Sequence, residues 1–104
     1  MIIVSQDKDV IVNFDNVTQI FIVIDKENEN LKPYLIRYES VGDYYETLGK
    51  YATEGRAKEV LREIISMYQG SLLLQYTNNK AQEDIAKLFK DMDITPFKFE
   101  MPQE

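Results

Sequence analysis

The side chains that could do chemistry here are carboxylates, serines and tyrosines, because the chain has neither histidine nor cysteine. Every Ser-His or Cys-His nucleophile scheme is therefore closed to it, as is a thiolate zinc site. The commonest general base and the ordinary pH sensor go with the histidine. Carboxylates alternate at Asp7/Asp9, at Asp25/Glu27/Glu29 and at Asp91/Asp93, a spacing that binds Ca²⁺ weakly. A calcium loop also needs a central glycine and a distal glutamate, and neither is in place, so these stretches read as solvated loops. Four glycines, Gly42, Gly49, Gly55 and Gly70, are too dispersed to form a phosphate-cradling loop. Ser5, Ser40, Ser66 and Ser71 read as turn or cap residues. Two acids can meet in space without adjacency, but nothing in the sequence selects a pair. The sequence assigns no catalytic, cofactor-binding or metal-binding residue, and no cofactor.

Seven tyrosines are the residues most open to a functional reading. Tyr34, Tyr38, Tyr44, Tyr45 and Tyr51 fall on two apolar-rich runs that flank Gly42. Adjacent Tyr44 and Tyr45 point to opposite faces if both lie in a strand, so one of them stands outside the core. Large, rigid and amphipathic, an exposed tyrosine suits a protein interface. The same residues also fill half-buried sheets. Base stacking needs cations around the rings, and Arg37 and Lys50 are thin support. The candidate interface residues are Tyr34, Tyr38, Tyr44, Tyr45 and, from the Leu72-Leu73-Leu74 run, Leu73.

These residues must be positioned by an α+β fold. Ile2–Val4, Val10–Phe14, Val17–Ile24, Tyr34–Glu39 and Tyr44–Tyr51 read as strands separated by polar turns. Strands that come first and helices that follow give α+β rather than a doubly wound parallel sheet, and short connections make the early strands antiparallel neighbours. Ile20–Ile24 is apolar on both faces, which predicts a central strand or one whose second face is covered. Gly49 inside its strand predicts a bulge or a close backbone approach.

Ala57, Val60, Leu61, Ile64, Ile65 and Tyr68 recur at helical spacing, with Thr53 as N-cap, Glu54 in the first turn and Gly70 as C′ residue. Glu54–Lys58 and Glu59–Arg62 are the expected ion pairs on this helix. Ser71–Tyr76 is leucine-rich and leans to helix. Ala81, Ile85, Leu88, Phe89 and Met92 predict a second helix, stopped at Thr95-Pro96. Phe97, Phe99 and Met101 alternate into a short tail strand on an edge. The expected picture is a twisted antiparallel meander with the long helix across one face, a second helix and a short C-terminal strand, all in one domain spanning residues 1–104.

With 18 acidic and 12 basic residues the formal charge is −6, which discourages nonspecific binding to nucleic acid or anionic membrane. No apolar run approaches the roughly 20 residues of a membrane span. Met1–Ser5 lacks a basic region and a cleavage site, so a soluble, cytoplasmic protein is expected.

Met1-Ile2-Ile3-Val4-Ser5-Gln6-Asp7-Lys8, followed by Ile11-Val12-Asn13-Phe14-Asp15-Asn16, resembles the start of small proteins encoded by phages and prophages of Gram-positive bacteria. Leu48–Leu61 is similar to their strand-to-helix segment, and Phe99-Glu100-Met101-Pro102 to their Tyr-x-Met-Pro ending, with Phe in place of Tyr. Gly55, where an acid is usual, and a longer Ser71–Thr95 segment depart from the pattern. The resemblance implies a phage or prophage origin and carries no activity with it. More distantly, antiparallel strands followed by a helix are similar to pleckstrin-homology-like domains, which are mostly binding modules.

Missing catalytic chemistry and tyrosine-rich strands together point to a non-enzymatic protein-binding or self-assembling module, with a phage or host protein as partner and a homo-oligomer as its extension. Two alternatives are an acidic decoy of a host nucleic-acid-binding enzyme and a cryptic carboxylate-based enzyme. The interleaved cations argue against the decoy, because they break any phosphate-like row.

Overall fold

A computed structural model describes residues 1–28, 31–42, 44–76, 87 and 98–104, without the side chains of Asn28, Ser71 and 73–76. The expected second helix and the Asp91/Asp93 pair lie outside the described residues, apart from Lys87, which is helical. The architecture is α+β. Strands β1 (Ile2–Val4), β2 (Ile11–Asn13), β3 (Val17–Ile24), β4 (Tyr34–Ser40) and β5 (Tyr44–Tyr51) precede one long helix, α1 (Glu54–Tyr76), and a tail strand, β6 (Lys98–Glu100).

The strands divide into two three-stranded sheets, ordered β2-β1-β6 and β3-β4-β5. The second sheet is the expected meander, antiparallel throughout. In the first, β1 pairs antiparallel with β2 but parallel with β6, Ile3 standing beside Phe99. The tail strand is an edge, as its flanking prolines predict. One difference concerns β3, which is also an edge strand rather than a central one, although Ile20–Ile24 is apolar on both faces. Val17, Ile20 and Ile22 pack against the core, while Phe21 and Val23, on the opposite face, are half-buried beside Leu35 and Arg37 of β4.

Both sheets and the helix share one core. Ile3, Val12 and Phe99 from one sheet meet Ile36, Tyr38, Leu48 and Tyr51 from the other beneath Ala57, Val60 and Ile64 of α1. The helix begins as its sequence predicts: the Thr53 hydroxyl accepts the Arg56 N–H at 3.1 Å, satisfying one orphan donor of the first turn. It does not end at Gly70. Glycine permits the left-handed C′ conformation without requiring it, and the leucines that follow are strong helix formers, so α1 continues to Tyr76.

The buried stripe also shifts by one row. Ile65 is 50% exposed, and Met67 packs on the core with Leu61 and Tyr68. Tyr68 fixes the far half of the helix: its ring meets Phe14 edge-on at 4.7 Å and its hydroxyl donates to Asp15 at 3.2 Å. Asp15 sits in the short 3-10 turn Phe14–Asn16, where a turn was expected. On the solvent face Lys58 pairs with Glu54 at 3.1 Å, as predicted, but Glu59 turns back to Arg56 at 2.8 Å instead of forward to Arg62.

Gly49 is a bulge and a close approach at once. Ile36 stands beside Gly49 and Arg37 beside Thr47, so Leu48 is the extra residue. A Cβ on Gly49 would lie 3.0 Å from the Tyr51 hydroxyl and 3.2 Å from the Met101 methyl. No helix among the described residues is long and apolar enough to cross a membrane.

Candidate functional site

The β4–β5 hairpin places four of the five candidate interface residues. Ser40 stands opposite Tyr44, and Gly42 takes the turn at φ +98°, a conformation that suits glycine. Period-two alternation then sorts the tyrosines by face. Tyr34 and Tyr38 point to the core side of the sheet, with Tyr38 only 4% exposed and Tyr34 half-buried against the core. Tyr44 joins that side at the sheet end, its ring 6.5 Å from Tyr38, but is 57% exposed. Tyr45 stands on the opposite face beside Glu39 and is 51% exposed. Val41, at the turn itself, is 78% exposed. The fifth candidate, Leu73, has a side chain outside the described set.

The chemistry of this end is that of a hydrogen-bonding surface. Tyr44 donates to Glu46 at 3.2 Å, and this bond, with the charge of Glu46, raises the Tyr44 pKa above the ordinary phenol value. Burial, reinforced by Glu46, raises that of Tyr38. Both phenols stay protonated at neutral pH and serve as donors, not as phenolate bases. On the Tyr45 face, Glu39 accepts from the Gln19 amide, and Arg37 keeps a buried Nε that no acceptor among the described residues meets. Tyr45, Arg37 and Phe21 thus share a face, and tyrosine and arginine are enriched where interfaces bind most strongly.

Gln6 is the residue that sequence reasoning missed. Its main-chain N–H donates to Leu48 O at 2.7 Å, and its side-chain oxygen accepts the Lys50 N–H at 2.9 Å. Its Nε2 lies 3.1 Å from Lys50 O, 3.0 Å from Pro102 O and 2.9 Å from Gln103 O. One amide therefore ties the free side of β5 to the C-terminal tail. Tyr51 adds a hydrogen bond to Pro102 O at 2.9 Å, and burial pushes its pKa up to about 12. A lone glutamine in a polar turn carries no sequence signal for such a role.

Beside Gln6 run two open grooves. One of about 310 Å³ is lined by Gln6, Asp7 and Thr47–Lys50, and the other, of about 580 Å³, by Gln6–Lys8 and Glu100–Gln103. Their acids do not form a catalytic pair. The Ser5 hydroxyl, with the Asp9 N–H, lowers the Asp7 pKa, and Lys98, with Lys8, lowers that of Glu100, so neither holds a proton to donate at neutral pH. Ser5 and Lys8 have the Ser-x-x-Lys spacing of a nucleophile and its base. In the fold, however, the Ser5 hydroxyl donates to Asp7 at 2.7 Å and accepts the Val10 N–H at 3.0 Å, while the Lys8 ammonium lies 4.0 Å from Glu100. This is a turn held by its own side chains. No group of three or more carboxylates among the described residues is gathered as a metal site would need. Comparison with known protein families, with curated proteins and with solved structures finds no match for this chain.

Proposed function

We propose that the chain is a non-enzymatic module that binds a protein partner through the exposed end of the β4–β5 hairpin. The observation that carries this reading is the exposure of Val41, Tyr44 and Tyr45 together at one end of the β4–β5 hairpin. Aromatic side chains with only two rotatable torsions lose little entropy on binding, and a hairpin anchored in the core presents them already organised. The two tyrosines face opposite sides of the sheet, so the partner grips the hairpin end instead of lying on one face. Arg37 and Phe21 extend the contact on the Tyr45 side.

The likeness of Met1–Lys8, Leu48–Leu61 and Phe99–Pro102 to small phage and prophage proteins supports a partner from a phage or its bacterial host, and the reading takes the cytoplasm as the site of action. The −6 charge favours a protein partner over nucleic acid. Affinity capture of the tagged chain from prophage-induced cells tests the proposal. One specific protein retained by the wild type and lost on Tyr44→Ala/Tyr45→Ala supports it. Retention unchanged by that substitution sinks it.

A further inference from the structure

Of the four strand edges among the described residues, three carry some protection against pairing. β2 and β6 are three residues each, and β6 carries the charges of Lys98 and Glu100. At its Leu48–Lys50 end the free side of β5 is occupied by Gln6, which takes up Leu48 O and both main-chain groups of Lys50. Short length, charge and cover are the usual devices against edge-to-edge association. Among the described residues β3 has none of them. It is eight residues long, and Val17–Ile24 contains no charged side chain.

The direction of its main-chain groups follows from its neighbours. Asp25 N–H donates to Pro33 O at 2.7 Å, extending the β3–β4 ladder, so odd-numbered residues of β3 aim their N–H and C=O at β4. The other side of the sheet agrees. Lys50 gives its N–H and C=O to Gln6, away from β4, so its opposite residue Leu35 turns its own groups to β3 and Val23. Ile20, Ile22 and Ile24 therefore point N–H and C=O outward. Among the described residues nothing receives them.

We propose that β3 is a self-pairing edge, joining two copies of this chain antiparallel about Ile22. In that register Ile22 meets Ile22 of the second copy, and Ile20 meets Ile24, with every outward N–H and C=O of the three satisfied. Phe21 meets Val23 on the other face. Both faces are thus matched apolar to apolar, and Ile24, 55% exposed in the single chain, is covered by Ile20 of the second copy. A second copy is the occupant because the strip is complementary to itself. Two chains of charge −6 repel, and this register brings them together along a strand with no charge to oppose. The strip shares Phe21 with the Tyr45 side of the hairpin surface but contains neither Tyr44 nor Tyr45.

Sedimentation equilibrium of the purified chain from roughly 1 μM to 1 mM, with residue-resolved amide exchange, tests this. The mass rises from 12.2 kDa towards twice that value, and the amides of Ile20, Ile22 and Ile24 gain protection with concentration. Those of Phe21 and Val23 are protected throughout. Ile24→Lys, at an exposed position, weakens association about tenfold or more. Ile24→Pro, at the same exposed position, removes an outward donor and leaves the β4 ladder intact, so it weakens association while circular dichroism stays native. Tyr44→Ala/Tyr45→Ala leaves association unchanged, which separates this test from that of the hairpin end. A monomer at every concentration overturns the proposal. So does a dimer indifferent to both β3 variants, or protection of the outward amides only when a different protein is bound.

Discussion

Replacing Gln6 by alanine tests how the tail and β5 are held together. The side chain has four neighbours within hydrogen-bonding distance, Lys50 N–H and the carbonyls of Lys50, Pro102 and Gln103. Its amide carries two hydrogens, so two of the three carbonyls are served at once, and three bonds operate together. At about 0.5–1.5 kcal/mol each the loss would be about 1.5–4.5 kcal/mol. Most of these contacts border water, which replaces part of what is lost, so the expected cost is in the lower half, about 1.5–3 kcal/mol. With a urea slope of about 1–1.5 kcal/mol/M, the unfolding midpoint falls by roughly 1–3 M. Gln6→Glu keeps the acceptor for Lys50 N–H but sets a carboxylate against three carbonyls. It is expected to cost at least as much at pH 7 and to recover partly on acidification, when the protonated acid can donate again. Urea titrations of the three proteins, followed by circular dichroism, read all of this. A Gln6→Ala midpoint within about 0.3 M of wild type would refute the clasp.

Three further expectations concern the core and its margins. Gly49→Ala forces a methyl to within 3.0 Å of the Tyr51 hydroxyl and 3.2 Å of Met101, and overpacking of this kind costs about 1–3 kcal/mol by thermal or urea unfolding. Ile64→Ala, fully buried, should lose about 2–5 kcal/mol, whereas Ile65→Ala, one residue on but half exposed, should stay within about 0.5 kcal/mol of wild type. Tyr51 ionises near 10 in the unfolded chain and at about 12 in the fold, so between those values the native state holds the extra proton. Its contribution is complete below pH 10 and is lost as pH rises towards 12. The alkaline fall of the unfolding midpoint should be shallower in Tyr51→Phe, and equal slopes would contradict the burial of that hydroxyl.

Much of the fold is legible in local pattern. Alternation found the six strands of the described residues to within a residue or two, and helical spacing with a capping threonine found the start of α1. What escaped is what local pattern does not encode. The division into two sheets, with β6 reaching β1 across nearly the whole chain, rests on pairings that period-two alternation leaves open. Apolar residues on both faces of β3 predicted a central strand or a covered second face; strand order makes it an edge, because order is a property of partners and not of the strand itself. Gly70 looked like a terminator because glycine permits one. The candidate site was legible in residue type more than in position. Tyr44 and Tyr45 stand on opposite faces at an exposed end, while Tyr38 goes into the core. Gln6 could not be found from sequence, since an amide becomes a clasp only where three distant carbonyls converge on it.

The measurement that bears most directly on the proposed function is quantitative capture with three baits, the wild type, Tyr44→Ala/Tyr45→Ala and Ile24→Lys, each shown to be folded. The hairpin end as binding site predicts one protein retained equally by the wild type and Ile24→Lys, and reduced at least tenfold on the tyrosine variant, the loss of about 1.4 kcal/mol or more that a pair of interface aromatics carries. Equal retention by all three baits, or loss confined to Ile24→Lys, would contradict it.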